Sequence, residues 1–240
     1  MQAKHHGIGR GALRALIGCG LLAVAPAQAA TRGFTITSFD AIRVDAPVTV
    51  VLTTGAGASA RAEGDQNALD RLKIDVSGRL LVLSMERPRA GEKSGGAATV
   101  RLSTGALTRV VLTGGGSVAV NRMKGLSAQI VLGGNGDVSV GDVQLDRLDV
   151  ALAGGGRVSL AGKAGVAAIR VTGPGSVAAE PLRVQQASIA NEGPGSIALT
   201  ADGSAKIVTS GSGDISVAGK AACSVENKGT GRLMCGGESY

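Results

Sequence analysis

The chain has 240 residues, 25 Lys and Arg against 18 Asp and Glu, a formal charge of +7, 39 glycines, two Phe, one Tyr and no Trp. So weak a basic bias, with almost no aromatic rings for bases to stack on, argues against nucleic acid as a partner. The only histidines, His5 and His6, fall in an expected leader, so a mature chain would have no His-dependent nucleophile triad and no His-ligated metal site.

That leader is residues 1–29. Lys4, Arg10 and Arg14 form a basic start, "ALIGCGLLAVA" (15–25) is a short apolar run, and "AQA" (27–29) offers the small-x-small pattern of signal cleavage. Cleavage after Ala29 would leave 211 residues with a formal charge of +4. "LIGC" (16–19) resembles a lipoprotein box with Cys19 as the acylated residue, but most of the apolar run lies beyond that cysteine. Ordinary export is therefore expected ahead of lipidation, to the periplasm, the outer membrane or the outside. No later segment is long and apolar enough to span a bilayer as a helix.

Residues 30–109 are irregular. "FDAIRVDAPVTVVLTTG" (39–55), "ARAEG" (60–64), "KIDVSGRLLVLSME" (73–86) and "ATVRLSTG" (98–105) read as strands punctuated by Gly and Pro. "GDQNALDRL" (64–72) suggests a short helical turn, and "RPRAGEKSGGA" (87–97) a polar loop. This stretch is expected to supply a cap and degenerate first rungs, since a solenoid needs a cap.

Residues 110–240 repeat. Gly-x-Gly triplets begin at Gly114, Gly134, Gly154, Gly173, Gly193, Gly211 and Gly229, at steps of 20, 20, 19, 20, 18 and 18 residues. Four positions before each triplet stand Val110, Ile130, Val150, Ile169, Ile189, Ile207 and Val225. Four after its first glycine stand Val118, Val138, Val158, Val177, Ile197, Ile215 and Leu233. Alternation within a unit, as in "LDVALAGGGRVSL" (148–160), is the period of a strand with one buried face.

Two strands per unit fit either an antiparallel meander or a parallel β-helix. Pro174 and Pro194 occupy the middle of two triplets, where a type I′ hairpin would need positive φ that proline cannot adopt. Gly-Pro-Gly-Ser suits a type II bend instead, with a positive-φ glycine after the proline. The predicted fold is therefore all-β, a single-stranded parallel β-helix of about 20-residue rungs, right-handed by the crossover rule. From Phe34 onward there is room for about eleven turns, a rod roughly 50 Å long at about 4.8 Å per level.

Cys223 and Cys235 fall in inward columns of the last turn, where no further rung covers the core. A bridge between them would close a 13-residue loop, worth about 3 kcal/mol on chain-entropy grounds. At the position two before each triplet, Leu112, Leu132, Leu152 and Val171 give way to Asn191, Thr209 and Asn227. These polar residues are expected to bond up and down the stack.

The ordered combination of "FTITSFDAIRVDAPVTVVLTTG", "RAEGDQNALDRLKIDVSGRLLVL" and the G-x-G-x-V-x-V units resembles the GIN domain, a secreted bacterial domain of unknown function described as the head of "putative autotransporter adhesins". The resemblance covers nearly the whole mature chain. It implies a right-handed parallel β-helix in the envelope or outside the cell, and it supplies no catalytic residues to carry over.

Candidate chemistry is sparse. "GGNGDVSV" (133–140) departs from calcium β-roll spacing, and Asp137 reads as an outward strand residue. Asp137 with Arg157, and Asp214 with Arg232, are expected as exposed ion pairs on adjacent rungs. The glycine triplets precede no helix, so they are not dinucleotide fingerprints. A lyase or glycosidase would need converging carboxylates, and the best local set is Asp142, Asp146, Arg147 and Asp149 with Lys163. Ala119, Ser139, Ser159, Ala178, Ala198 and Ser216 form an outward stripe of small side chains, able to let a flat partner or polymer lie close. The expected role is a non-enzymatic, adhesin-like module binding an envelope protein or polysaccharide, without cofactor or metal. The alternatives are a polysaccharide lyase or glycosidase, or a passive spacer.

Overall fold

A computed structural model describes residue 2, residues 30–89 and residues 96–240. The expected leader, its cleavage site, Cys19 and the middle of the 87–97 loop lie outside the described residues.

The alternating segments form strands. In order they are β1 (Ala30–Phe34), β2 (Ala41–Val44), β3 (Thr49–Thr54), β4 (Ser59–Gly64), helix α1 (Gln66–Arg71), β5 (Leu72–Ser77), β6 (Leu80–Met85) and β7 (Ala98–Thr104). Then come β8 (Arg109–Leu112), β9 (Ser117–Val120), β10 (Met123–Leu132), β11 (Asp137–Leu152), β12 (Arg157–Val171), β13 (Ser176–Asn191) and β14 (Ser196–Thr209). The chain ends in β15 (Ile215–Ala218), β16 (Ala222–Asn227), β17 (Leu233–Cys235) and β18 (Glu238–Ser239). The long strands β11 to β14 bend round corners, so each serves more than one face of a coil.

Three parallel faces result. On the first, Val110, Ile130, Val150, Ile169, Ile189, Ile207 and Val225 stack in register. On the second, Val118, Val138, Val158, Val177, Ile197, Ile215 and Leu233 do the same. A third, shorter face pairs Met123–Gly125, Val143–Leu145, Gly162–Ala164 and Leu182–Val184. Apart from Val225, half-exposed on the last rung, every member of the first two columns is buried. Burial of each such side chain is worth about 1.5–3 kcal/mol, which makes these ladders the core of the fold. The solenoid is the one that period and punctuation predict.

Its length is not. The regular coil from Val110 to Val225 makes six turns, rather than the eleven expected from Phe34 onward. The first third spends its residues on antiparallel pairing instead. After β3 the chain reverses into β4, which runs antiparallel to β7 and β1. The hairpin of β5 and β6 follows. This detour places β6 and β7 outside β2 and β3, which are sandwiched between them and β8 and β9. The first face therefore has nine parallel strands (β6, β2, β8, β10, β11, β12, β13, β14, β16), about 40 Å of stack at about 4.8 Å per level. Helix α1, the expected helical turn, is N-capped by Asp65, whose carboxylate accepts from the Ala68 N–H at 3.2 Å. Its Ala68 and Leu69 are buried in the core.

The triplets are corners, but not type II turns. Neither Gly175 nor Gly195 has a positive φ. Glycine is required there by close approach: a Cβ on Gly134 would lie 2.3 Å from Gly114 O, one on Gly154 1.9 Å from Gly134 O, and one on Gly175 2.3 Å from Gly156 O. Successive corners thus stack backbone on backbone, joined by bonds such as Gly156 N–H to Gly134 O at 3.2 Å and Gly175 N–H to Gly154 O at 3.0 Å. The middle residue joins this ladder less regularly: the Gly155 N–H is taken by the Asn135 side chain of the preceding level at 3.1 Å, and the Thr230 N–H by Gly211 O at 3.2 Å. Proline at 174 and 194 gives up that middle N–H but leaves the bonds of the third glycine, such as Gly175 N–H to Gly154 O, in place.

The expected polar ladder does not form. Asn191 is fully buried and serves its own corner, donating to Gly195 O at 2.8 Å and accepting from Gly193 N–H at 3.3 Å. Asn227 likewise accepts from Gly229 N–H at 2.9 Å. The inward backbone groups of the same corner lie within reach of each amide, so neither side chain bonds to the next rung. Between them, the buried Thr209 Oγ1 has no hydrogen-bond partner among the described residues.

The two cysteines close the last turn. Cys223 and Cys235 form a disulfide with Cα atoms 6.2 Å apart, within the usual span. Cys223 lies in register with Ala205 and Cys235 with Val217, one on each main face, so the bridge ties the two faces together where the stack ends.

Candidate functional sites on the outer faces

The small-residue stripe is continuous on the second face. Ala119, Ser139, Ser159, Ala178, Ala198 and Ser216 pair in unbroken register. The column is bounded by Val51 and Arg101 at one end and by Met234 at the other. Met234 is 52% exposed, and beside it Ser196, Ala198, Ser216, Arg232 and Ser239 help line a shallow depression of about 390 Å³. Side chains that alternate out of a flat parallel sheet, one small residue per level, leave a smooth track with larger residues at both ends.

Charges flank the track. Asp214 and Arg232 pair at 2.8 Å, and Asp214 also accepts from the Arg232 backbone N–H at 3.0 Å. The Arg232 side-chain hydrogen bond holds the Asp214 carboxyl below its ordinary range. The pair expected between Asp137 and Arg157 does not form, although the two are in register. Arg157 turns to the following rung and donates to Ser176 Oγ at 3.3 Å.

The candidate carboxylate cluster is dispersed. Asp142 takes Arg122 at 2.8 Å and Gln144 at 2.9 Å, while Arg147 and Asp149 form a two-bond pair at 3.1 and 3.2 Å. The Arg147 guanidinium is accordingly pushed up by its hydrogen bonds to Asp149. Of these residues Asp146 and Lys163 share a concavity. That is a depression of about 530 Å³ on the third face and its edge, lined also by Gln144, Arg183, Gln185 and Asp202. Arg183 and Asp202 stand 4.0 Å apart. Neither Gln144, Arg183, Gln185 nor Asp202 was singled out by sequence reasoning. Their units are joined by connectors whose register shifts, so aligning on the triplets alone does not bring them into column.

A third feature was also missed. Outward on the first face run Val111, Val131, Ala151, Arg170, Ala190 and Val208, an aliphatic column interrupted by the Arg170–Glu192 pair at 3.2 Å. The triplet alignment contains this column three positions before each triplet, and it could have been read there.

These features define a class: a parallel β-solenoid whose outward columns make long, shallow, mixed polar and small-residue faces. Residues 38–221 match the family described as "Putative auto-transporter adhesin, head GIN domain", and the chain belongs to that family. Among solved structures it is similar to a "putative adhesin" from Parabacteroides merdae, with 21% identity, coverage of 87% of this chain and 96% of that chain, and a TM-score of 0.68. A "putative adhesin" from Bacteroides fragilis is 21% identical over 82% of this chain and 95% of its own, with a TM-score of 0.63. A "Putative lipid binding protein" from Parabacteroides distasonis is 20% identical over 82% and 96%, with a TM-score of 0.58. At these identities the likeness is one of fold. Among the curated proteins none matches this chain. Among the described residues no helix is long and apolar enough to cross a membrane.

Proposed function

We propose that the protein is an exported, non-enzymatic interaction module of the cell envelope, which presents flat sheet faces to an envelope protein or polysaccharide. The observation that carries this reading is the six-level run of small residues from Ala119 to Ser216, held in register by the buried ladders beneath it. A disulfide at the end of the stack suits an oxidising compartment: periplasm, outer membrane or cell exterior. The adhesin description of the family and of its solved relatives agrees with a binding role.

The lyase or glycosidase reading is kept alive by one observation, the shared depression of Asp146, Lys163, Arg183 and Asp202. One experiment separates the two. The purified mature chain is incubated with a panel of envelope polysaccharides and proteins, and both saturable binding and new reducing or unsaturated chain ends are measured. Binding without new ends supports the module; release of ends overturns it in favour of the enzyme. A passive spacer would show neither.

A further inference from the structure

The third-face depression has a specific construction. Through it runs a column of exposed residues, Gln144, Lys163 and Arg183, which Lys124 continues one level beyond the lining, so that four consecutive levels carry one each. Beside it runs a second outward column of Leu126, Asp146, Gly165 and Gln185, as the flanking register requires. Gly165 removes a side chain between Asp146 and Gln185, and the concavity lies there. Its own reason is steric, since a Cβ would come 2.7 Å from Asp146 O. Leu126, at the head of the second column, is 78% exposed, an unusual position for a leucine.

The electrostatics of the two columns are incomplete within the molecule. Among the described residues Lys124, Lys163 and Asp146 make no ion pair or side-chain hydrogen bond, and Arg183 has only Asp202 at 4.0 Å. Elsewhere on the same rungs the charges are satisfied in pairs, as in Arg122–Asp142 and Arg147–Asp149. Lys124, Lys163 and Arg183 spread over about 14 Å, at about 4.8 Å per level, against Asp146 and the Asp202 beside Arg183, so one cation is left in excess along the axis, which favours a linear anion there. The acceptor-only carboxylate of Asp146 and the amides of Gln144 and Gln185 ask in addition for a ligand rich in donors and acceptors. Leu126 offers an apolar surface at one end. Carboxylates, hydroxyls and C–H faces occur together in acidic sugars.

We infer that this depression and the level beyond it bind an acidic polysaccharide, with uronate-type carboxylates on Lys163 and Arg183, and on Lys124 past its edge, and hydroxyls on Asp146, Gln144 and Gln185. The inference rests on the binding-module reading for a saturable ligand but places that ligand on a different face from the small-residue stripe.

The test titrates the full mature chain with polygalacturonate and with the same polymer after carboxyl reduction, at low and moderate salt. The acidic form is expected to bind, with affinity falling as salt rises, and the reduced form to bind at least about tenfold more weakly. Lys163→Gln is expected to weaken binding of the acidic polymer about tenfold, the effect of one charge-assisted hydrogen bond. This lysine is exposed and unpaired, so an unchanged urea midpoint will show that the fold survives. Ser159→Arg, on the stripe, should leave polygalacturonate binding unchanged. Equal affinity for the two polymers, or indifference to Lys163→Gln, overturns the inference. If neither polymer binds while an envelope ligand is still captured and lost with Ser159→Arg, the depression is refuted and the interaction module stands.

Discussion

Replacing Gly154 with Ala probes the corner most sharply. Its Cβ would stand 1.9 Å from Gly134 O and 2.7 Å from Gly134 C, both backbone atoms of the preceding level. Reaching ordinary contact at 3.4 Å needs a displacement of about 1.5 Å, which the rigid stack can give only by parting two rungs. That stretches Gly156 N–H to Gly134 O, now 3.2 Å, and Arg157 N–H to Gly136 O, now 3.1 Å. Each bond is worth about 1 kcal/mol, and overpacking adds about 1–3 kcal/mol, so a loss of about 3–5 kcal/mol is expected. Gly155→Ala is the internal control. Its Cβ meets only side chains, Asn135 Oδ1 at 2.9 Å and Pro174 Cγ at 3.7 Å; rotating Asn135 away gives up its exposed bond to the Gly155 N–H, a cost of about 1 kcal/mol. Urea unfolding followed by circular dichroism reads both. With a slope of about 2 kcal/mol/M, Gly154→Ala should lower the midpoint by about 1.5–2.5 M. A Gly154→Ala midpoint within about 0.3 M of that of Gly155→Ala would refute close stacking as the reason for the corner glycines.

Three further outcomes are expected. Replacing Cys223 and Cys235 together with Ser should cost about 3 kcal/mol in urea and raise hydrogen exchange first in β16 and β17; exchange rising evenly over all rungs would count against a local clasp. Thr209→Val removes a buried hydroxyl that has no partner and should stabilise the chain by about 1 kcal/mol, whereas a destabilisation of that size would mean the hydroxyl is satisfied in solution. Because Arg232 depresses the folded-state pKa of Asp214, its contribution is present above the usual carboxylate range and is lost as pH falls through the depressed value. Asp214→Asn should therefore flatten the acid side of the stability profile measured by urea midpoints, and superimposable profiles would contradict the pairing.

The solenoid was legible because its core is periodic. A β-branched residue at every twentieth position leaves a column that survives changes of one or two residues in the connectors, and two columns locate two faces. The cysteine clasp was legible for the same reason, since both positions fall in inward columns. The first third was not, because antiparallel strands β4 and β5 alternate like any others and carry no mark of direction. Nothing in "ARAEG" or "KIDVSGRLLVL" says that the chain will double back and slip β6 and β7 outside β2 and β3. The role of glycine was misassigned at the prolines. Sequence suggests the φ that Gly-Pro-Gly would allow, while the fold uses the absence of a Cβ to let carbonyls of adjacent corners approach. The stripe was readable, being aligned with the triplets. The Lys163 depression was only half readable, because Asp146 and Lys163 could be suspected from charge alone. Arg183 and Asp202 join them only through stacked connectors, where strand register shifts at Ser159/Gly162 and again at Ala179/Arg183.

The faces on which any ligand must dock exist only if each twenty-residue unit adds a single level to the pile. Spin labels at Ala119→Cys and Ser216→Cys measure this directly, because the two positions are five levels apart in the paired register. A separation centred near about 24 Å is predicted from about 4.8 Å per level; a sheet in which both strands of every unit lay side by side would give about 48 Å and contradict the account.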